Sequence, residues 1–175
     1  MNTLVIFFLG RDFFIELYKY DQLIDRVEFD DASKNLIVRI GDILNSNSIT
    51  INDLHRVISV SGPGSFSSIR IVCSTLHALK RVFKNMKCST CYLNELIVDA
   101  SNLLIRLNNS MFLLFDNGKW VTILEQNLDL SKTYKVFEEY DIQAEQELIT
   151  NVGKKLKDSF SNEIKKPLYV YMPVI

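Results

Sequence analysis

Apolar residues first come in strand-length runs and then at helical spacing. Leu4 to Phe8 is an unbroken apolar run suited to a strand covered on both faces, and Gly10-Arg11 ends it. Phe13 to Tyr18 and Leu23 to Phe29 resume strand character around a turn at Tyr20-Asp21, so three successive strands predict an antiparallel meander. Asp30-Asp31-Ala32-Ser33 then offers caps for a helix, in which Leu36, Ile37, Ile40, Ile43 and Leu44 form a stripe about 120° wide with Val38 outside it. A polar turn over Asn45 to Thr50 and one helical turn at Asn52-Asp53-Leu54 lead to a β-branched strand, Val57 to Val60. Gly62-Pro63-Gly64 stops that strand, and Ser65, Ser67 or Ser68 can cap the helix that follows. The predicted order is βββαβα.

Farther along, Lys87 to Tyr92 reads as a strand, and Leu93, Leu96, Ile97, Ala100, Leu103, Leu104 and Leu107 follow the spacing of a third helix ending near Asn108-Asn109. Met111 to Phe115 and Trp120 to Leu124 flank Asp116-Asn117-Gly118, the signature of a type I′ hairpin. One more strand over Thr133 to Phe137, a weakly amphipathic helix over Glu145 to Phe160 and a last strand over Leu168 to Tyr171 complete the reading. The chain shows no repeat, low-complexity tract or flexible linker.

The helix after the glycine loop is apolar over more of its circumference than one contact needs. Ala78, Ile71, Val82, Leu79, Val72, Phe83, Leu76, Ile69 and Cys73 span an arc of about 220°, against a little over about 100° for one buried face. His77, Lys84, Arg70, Arg81 and Ser74 occupy the remainder, and Lys80 interrupts the apolar arc. Two arrangements account for the excess: enclosure by the chain's own domain, or a second contact with a partner.

Composition narrows the class. A hydrophobic content of 47% in 175 residues supports a core for one domain or two small lobes, and 20 Lys and Arg against 21 Asp and Glu leave no bulk field favouring nucleic acid or an anionic membrane. The longest apolar run falls far short of the roughly 20 residues of a membrane span, and no basic segment precedes it, so the expected location is the cytoplasm. Three cysteines make no disulfide framework; Cys88-Ser89-Thr90-Cys91 has redox or zinc spacing but neither a second pair nor a ligand-spaced histidine. His55 and His77 are too far apart for a helical metal pair, so no metal, cofactor or catalytic residue is assigned. Backbone N–H groups at the glycine loop favour anions, but without the Lys and Ser/Thr of a P-loop nothing holds a terminal phosphate or its metal.

Ser61-Gly62-Pro63-Gly64-Ser65-Phe66-Ser67-Ser68-Ile69-Arg70 resembles the hallmark loop of the bacterial TsaB (YeaZ) family of tRNA threonylcarbamoyladenosine biosynthesis proteins, whose pattern is G-P-G-S-F-T-G-hydrophobic-R. Gly62, Pro63, Gly64, Ser65, Phe66 and Arg70 match it, while Ser67 and Ser68 stand where Thr and Gly are usual. The resemblance runs in order over nearly the whole chain, from the three-strand opening through Ile51-Asn52-Asp53-Leu54 to Pro167-Leu168-Tyr169-Val170. It implies an α/β fold of the actin-like ATPase and sugar-kinase superfamily (ASKHA), with two βββαβα-type lobes: residues 1–86 as the first, and 87–175 as a reduced second.

The resemblance further implies a non-catalytic scaffold subunit that binds the catalytic subunit TsaD through its first two helices and permits a homodimer. A TsaE-type ATPase joins the complex, which contacts tRNA next to the anticodon. Partner-binding residues on that view are Ile37, Ile40 and Leu44 on the first helix and Ile69, Cys73, Leu76 and Lys80 on the second. The chain departs from the family where Phe8-Leu9-Gly10 replaces an Asp-Thr-Ser-like opening, where Ala32-Ser33 replaces a histidine, and where only Asp116-Asn117 remains of an Asp-Ala-Arg segment. An apolar Phe8 can neither orient a phosphate nor hold a hydrated metal. The alternatives are an ATP-binding or ATP-hydrolysing enzyme or metallohydrolase of the same superfamily, and a self-dimerising pseudoenzyme that no longer meets TsaD.

Overall fold

The structure is a computed structural model that describes residues 1–9, 12–20, 22–30, 32–62, 66–96, 102–106, 110–137 and 164. The chain forms two compact units, Met1–Leu93 with Val152–Ile175, and Asn94–Asn151.

In the first unit, β1 (Asn2–Leu9), β2 (Asp12–Lys19) and β3 (Gln22–Phe29) make the predicted meander. α1 (Ala32–Ser46), a 3-10 turn at Ile51–Asp53, β4 (Leu54–Val60), α2 (Phe66–Val82) and β5 (Lys87–Cys91) follow. The five strands lie in the order β3-β2-β1-β4-β5, antiparallel within the meander and parallel from β1 through β4 to β5.

Register explains which face of the meander meets the helices. Leu4 faces Leu17, Ile6 faces Ile15 and Phe8 faces Phe13, so these six share one side of the sheet. They pack with Val57, Cys88 and the inner positions of α1 and α2 in one core cluster. The alternate residues Thr3, Val5, Phe7, Phe14, Glu16 and Tyr18 are buried too. Both faces are therefore covered, and that is why Leu4 to Phe8 is apolar without alternation.

α1 ends in a Schellman arrangement. Ser48 takes a left-handed φ of 56°, the Ile49 N–H donates to the Leu44 carbonyl at 2.9 Å, and the Ser48 N–H donates to Asn45 at 3.0 Å. The chain is thereby turned toward the 3-10 segment, whose start is closed by the Asp53 carboxylate accepting from the Thr50 N–H and hydroxyl at 2.8 and 2.6 Å.

β5 pairs with β4 over Arg56 to Val60, so the first unit runs on to Leu93 instead of ending at residue 86. Beyond it, α3 is one turn, Leu93–Leu96. The expected third helix does not reach Leu107: residues 97–101 lie outside the described residues, and Leu103–Arg106 is a strand, β6, which pairs antiparallel with β7 (Met111–Asp116) and parallel with β9 (Lys135–Phe137). Asn102, immediately before β6, takes a left-handed φ of 58°. Pairing on both sides satisfies β6's backbone in a way that an isolated helix turn could not. β8 (Lys119–Leu124) closes the predicted hairpin, with Asn117 and Gly118 at φ 49° and 78° as a type I′ turn requires.

The second sheet runs β8-β7-β6-β9, the order and strand directions of β3-β2-β1-β4 in the first. A 3-10 turn at Glu125–Asn127 stands where the first unit has α1. Leu104, Phe112 and Leu114 form its core with Ile123, Leu128 and Tyr134. The expected helix over Glu145 to Phe160 and strand over Leu168 to Tyr171 lie outside the described residues.

Candidate partner-binding surface and motif loop

The end of β5 and the residue opening α3 hold the start of the glycine loop. The Ser61 N–H and hydroxyl both donate to the Cys91 carbonyl, at 2.8 and 3.3 Å, and the Leu93 N–H donates to the Gly62 carbonyl at 2.9 Å. Gly62 sits at φ 130°, a backbone region that side chains with a Cβ rarely adopt, so glycine is needed where the chain leaves the sheet. Pro63, Gly64 and Ser65 lie outside the described residues. Phe66 opens α2 and is 51% exposed; the Arg70 guanidinium lies over its ring at 5.3 Å, one helical turn on. Arg70 itself is exposed.

At the sheet end where the resemblance expects an acid, Phe8 is buried against Phe13 at 5.6 Å, and Phe13 against Phe29 at 5.7 Å. Among the described residues no three His, Cys, Asp or Glu side chains gather as a metal site. The three cysteines are free and buried; burial pushes the Cys73 thiol up, and Cys88 likewise with Lys80 pulling back. Low thiolate character and burial make Cys73 and Cys88 poor nucleophiles. His55 lies in β4, its Nδ1 accepting from the Asn2 N–H at 3.3 Å.

Most of the proposed partner-binding residues are committed to the first unit's own core. Ile40, Leu44, Ile69, Cys73 and Leu76 are buried in the cluster beneath α1 and α2, leaving them no surface to offer another chain. The sheet beneath claims them because both helices must cover the inward rows of β1 and β2. Ile37 and Lys80 are exposed. The wide arc of α2 divides accordingly: Ile69, Val72, Cys73 and Leu76 are buried, Ile71, Leu79 and Phe83 are half-buried, and Ala78 and Val82 are exposed. Exposed positions thus remain on each helix, Ile37 and Val38 on α1 and Phe66, Ala78 and Val82 on α2 with Arg70, His77 and Arg81, while Lys80, also exposed, lies on the core-facing side near Cys88.

Sequence reasoning missed a polar row on the opposite face of the sheet. Glu16 is wholly buried; the Tyr18 hydroxyl donates to its Oε2 at 2.7 Å, and Arg26 Nη1 stands 3.8 Å from Oε1. Arg26 also lies over the Phe14 ring at 4.4 Å, and Phe14 stacks on Phe7 at 5.0 Å. Burial pushes Glu16 above the ordinary carboxylate range, opposed by the Tyr18 hydrogen bond and the Arg26 charge. Burial, Glu16's charge and the shared hydrogen bond hold the Tyr18 proton on. The sequence signal was a lone glutamate inside the apolar run Phe13 to Tyr18.

No protein-family model matches the chain, and no curated protein matches it in sequence. Solved structures match its fold. Superposition on YeaZ from Pseudomonas aeruginosa gives a TM-score of 0.57 at 9% identity, over 75% of this chain and 71% of that one. An uncharacterised protein described as similar to peptidase YeaZ from Pseudomonas aeruginosa gives 0.58 at 9% identity, over 78% and 74%. The shared feature is a mixed α/β fold, here with one five-stranded and one four-stranded sheet. No helix among the described residues is long and apolar enough to cross a membrane.

Proposed function

We propose that this chain is a non-catalytic, YeaZ-like scaffold subunit that docks on a TsaD-type catalytic subunit through the outer faces of α1 and α2. In this reading it serves the threonylcarbamoyl modification of the adenosine next to the tRNA anticodon in the cytoplasm, with a TsaE-type ATPase in the complex and tRNA met only through it. The carrying observation is the surface left over after the core is filled: Ile37, Val38, Phe66 and Val82 are 62%, 59%, 51% and 70% exposed on the two helices. Apolar and aromatic residues grouped beside arginine are the composition of interface centres. The aromatic packing around Phe8 supports the absence of phosphate chemistry, because a phosphate or metal site there would need a polar group.

Co-expression with a TsaD-type protein from the same source tests the proposal. The expected result is a complex that co-elutes in size exclusion and is lost when Ile37 and Val82 are both changed to Asp; separate elution of the unmodified chains overturns it. Calorimetry with ATP and magnesium tests the enzyme alternative. Tight binding followed by phosphate release from the isolated chain would replace the scaffold reading.

A further inference from the structure

The outer side of α2 carries one sign of charge. From Leu54 to Asn94 the sequence contains no carboxylate, yet it holds Arg56, Arg70, Lys80, Arg81, Lys84 and Lys87. At 100° per residue, Arg70, His77 and Arg81 fall within about 40° of arc, and the line they draw is about 16 Å long. All three are exposed, as are Lys80 and Lys84, and no carboxylate among the described residues pairs with Arg70, Arg81 or Lys84. The acid on the outer side of α1, Asp42, is held by Arg39 at 3.3 Å.

Beside this cationic line runs a row suited to helix packing. Phe66, Arg70, Ser74, Ala78 and Val82 recur every four residues and are all exposed, with the small Ser74 and Ala78 permitting close approach. The row is symmetric enough for a second copy: an antiparallel pair crossing at Ser74 would set Phe66 against Val82 and Arg70 against Ala78. Charge opposes that pairing. Two copies would bring Arg70, His77 and Arg81 from each side together, across helix axes about 8–10 Å apart, with no carboxylate on α2 to offset them. A nucleic-acid backbone would answer the cations but bury none of Ala78, Val82, Ile37 or Val38.

We infer that the outer face of α2 receives an acidic amphipathic helix of a partner protein, and that the same charge keeps this chain from pairing with itself. The inference rests on the scaffold reading and adds to it the chemistry of the partner and a basis for choosing that partner over a second copy. The partner helix lays a small-residue row on Ser74 and Ala78 and sets Asp or Glu side chains against Arg70 and Arg81.

The test uses the full chain and three fluorescent probes: an amphipathic helical peptide with glutamates flanking an Ala/Leu row, the same peptide with lysines replacing the glutamates, and a short RNA duplex. Anisotropy is expected to show binding of the acidic peptide alone, weakened about tenfold or more between about 0.1 M and about 1 M salt as the screening length falls from ~10 Å to ~3 Å. Arg70→Glu with Arg81→Glu is expected to transfer binding to the lysine peptide, whereas Arg70→Lys with Arg81→Lys retains the acidic one. Sedimentation of the unmodified chain is expected to give a monomer. A dimer that the double glutamate variant dissociates would assign the face to a second copy, tighter binding of the duplex would assign it to nucleic acid, and equal binding of both peptides would remove the role of charge. The two readings fail separately. Co-purification with a TsaD-type protein that is indifferent to the double glutamate variant sinks this inference and keeps the scaffold, while acidic-peptide binding without TsaD keeps the inference and removes the named partner.

Discussion

Thr3 and Arg56 are neighbours across β1 and β4, and both carry a buried polar atom, Thr3 Oγ1 and Arg56 Nη1, without a hydrogen-bond partner among the described residues. A buried hydroxyl left unpaired costs about 1–3 kcal/mol, and valine has nearly the shape of threonine with a higher strand preference. Thr3→Val is therefore expected to stabilise the fold by about 1 kcal/mol, read as a rise of about 2–4 °C in a thermal melt. Glu16 supplies a second measurement. Its folded pKa lies above the ordinary value of 4.5, so the native state binds its proton more tightly than the unfolded state does. Stability drawn from this group is greatest below that value and declines as pH rises through the folded pKa. Glu16→Gln keeps an acceptor for Tyr18 and does not titrate. Urea unfolding from about pH 4 to about pH 8 should thus show the variant gaining on the unmodified chain as pH increases, and a pH-independent difference would contradict the assignment. The sequence marks Glu16 only as an oddity in an apolar run; its partners come from register, which one-dimensional spacing does not specify.

At the scale of elements, the meander was legible as strand-length apolar runs separated by turns, and both long helices as apolar spacing of between three and four residues. Which side of α2 faces outward was not legible, since Leu76 and Val82 both belong to the apolar arc and only the position of the sheet separates them. Leu76, fully buried, is expected to behave as a core residue. Leu76→Asp should abolish the cooperative unfolding transition, where even Leu76→Ala would cost about 2–5 kcal/mol. Val82→Asp, at an exposed position, should alter stability by no more than about 0.5 kcal/mol in the same circular-dichroism titration. The misread helix after Leu93 has a different cause. Leu103-Leu104-Ile105 is too short an apolar run for periodicity to separate strand from helix, and the deciding factor is the pair of strands β7 and β9 waiting on either side.

Across the whole molecule, the two sheets share an order of strands that the sequence does not show as a repeat. Topology depends on which runs are apolar and where the turns fall, so two segments can keep one path while sharing few residues. The glycine motif was the legible part of the candidate site, because its residue types are demanded by backbone conformation, as Gly62 shows. The outer charge of α2 was visible residue by residue, yet its meaning depends on how much of that helix the core leaves uncovered.

The aromatic trio at the head of the first sheet also closes that corner to single polar replacements. Phe8, Phe13 and Phe29 fill that corner with hydrocarbon on three strands. A lone aspartate installed at position 8 would be packed against the Phe13 ring in a hydrocarbon corner, so it would weaken that corner long before it could hold a ligand. Placing a ligand site at this corner would need concerted replacements on three strands at once.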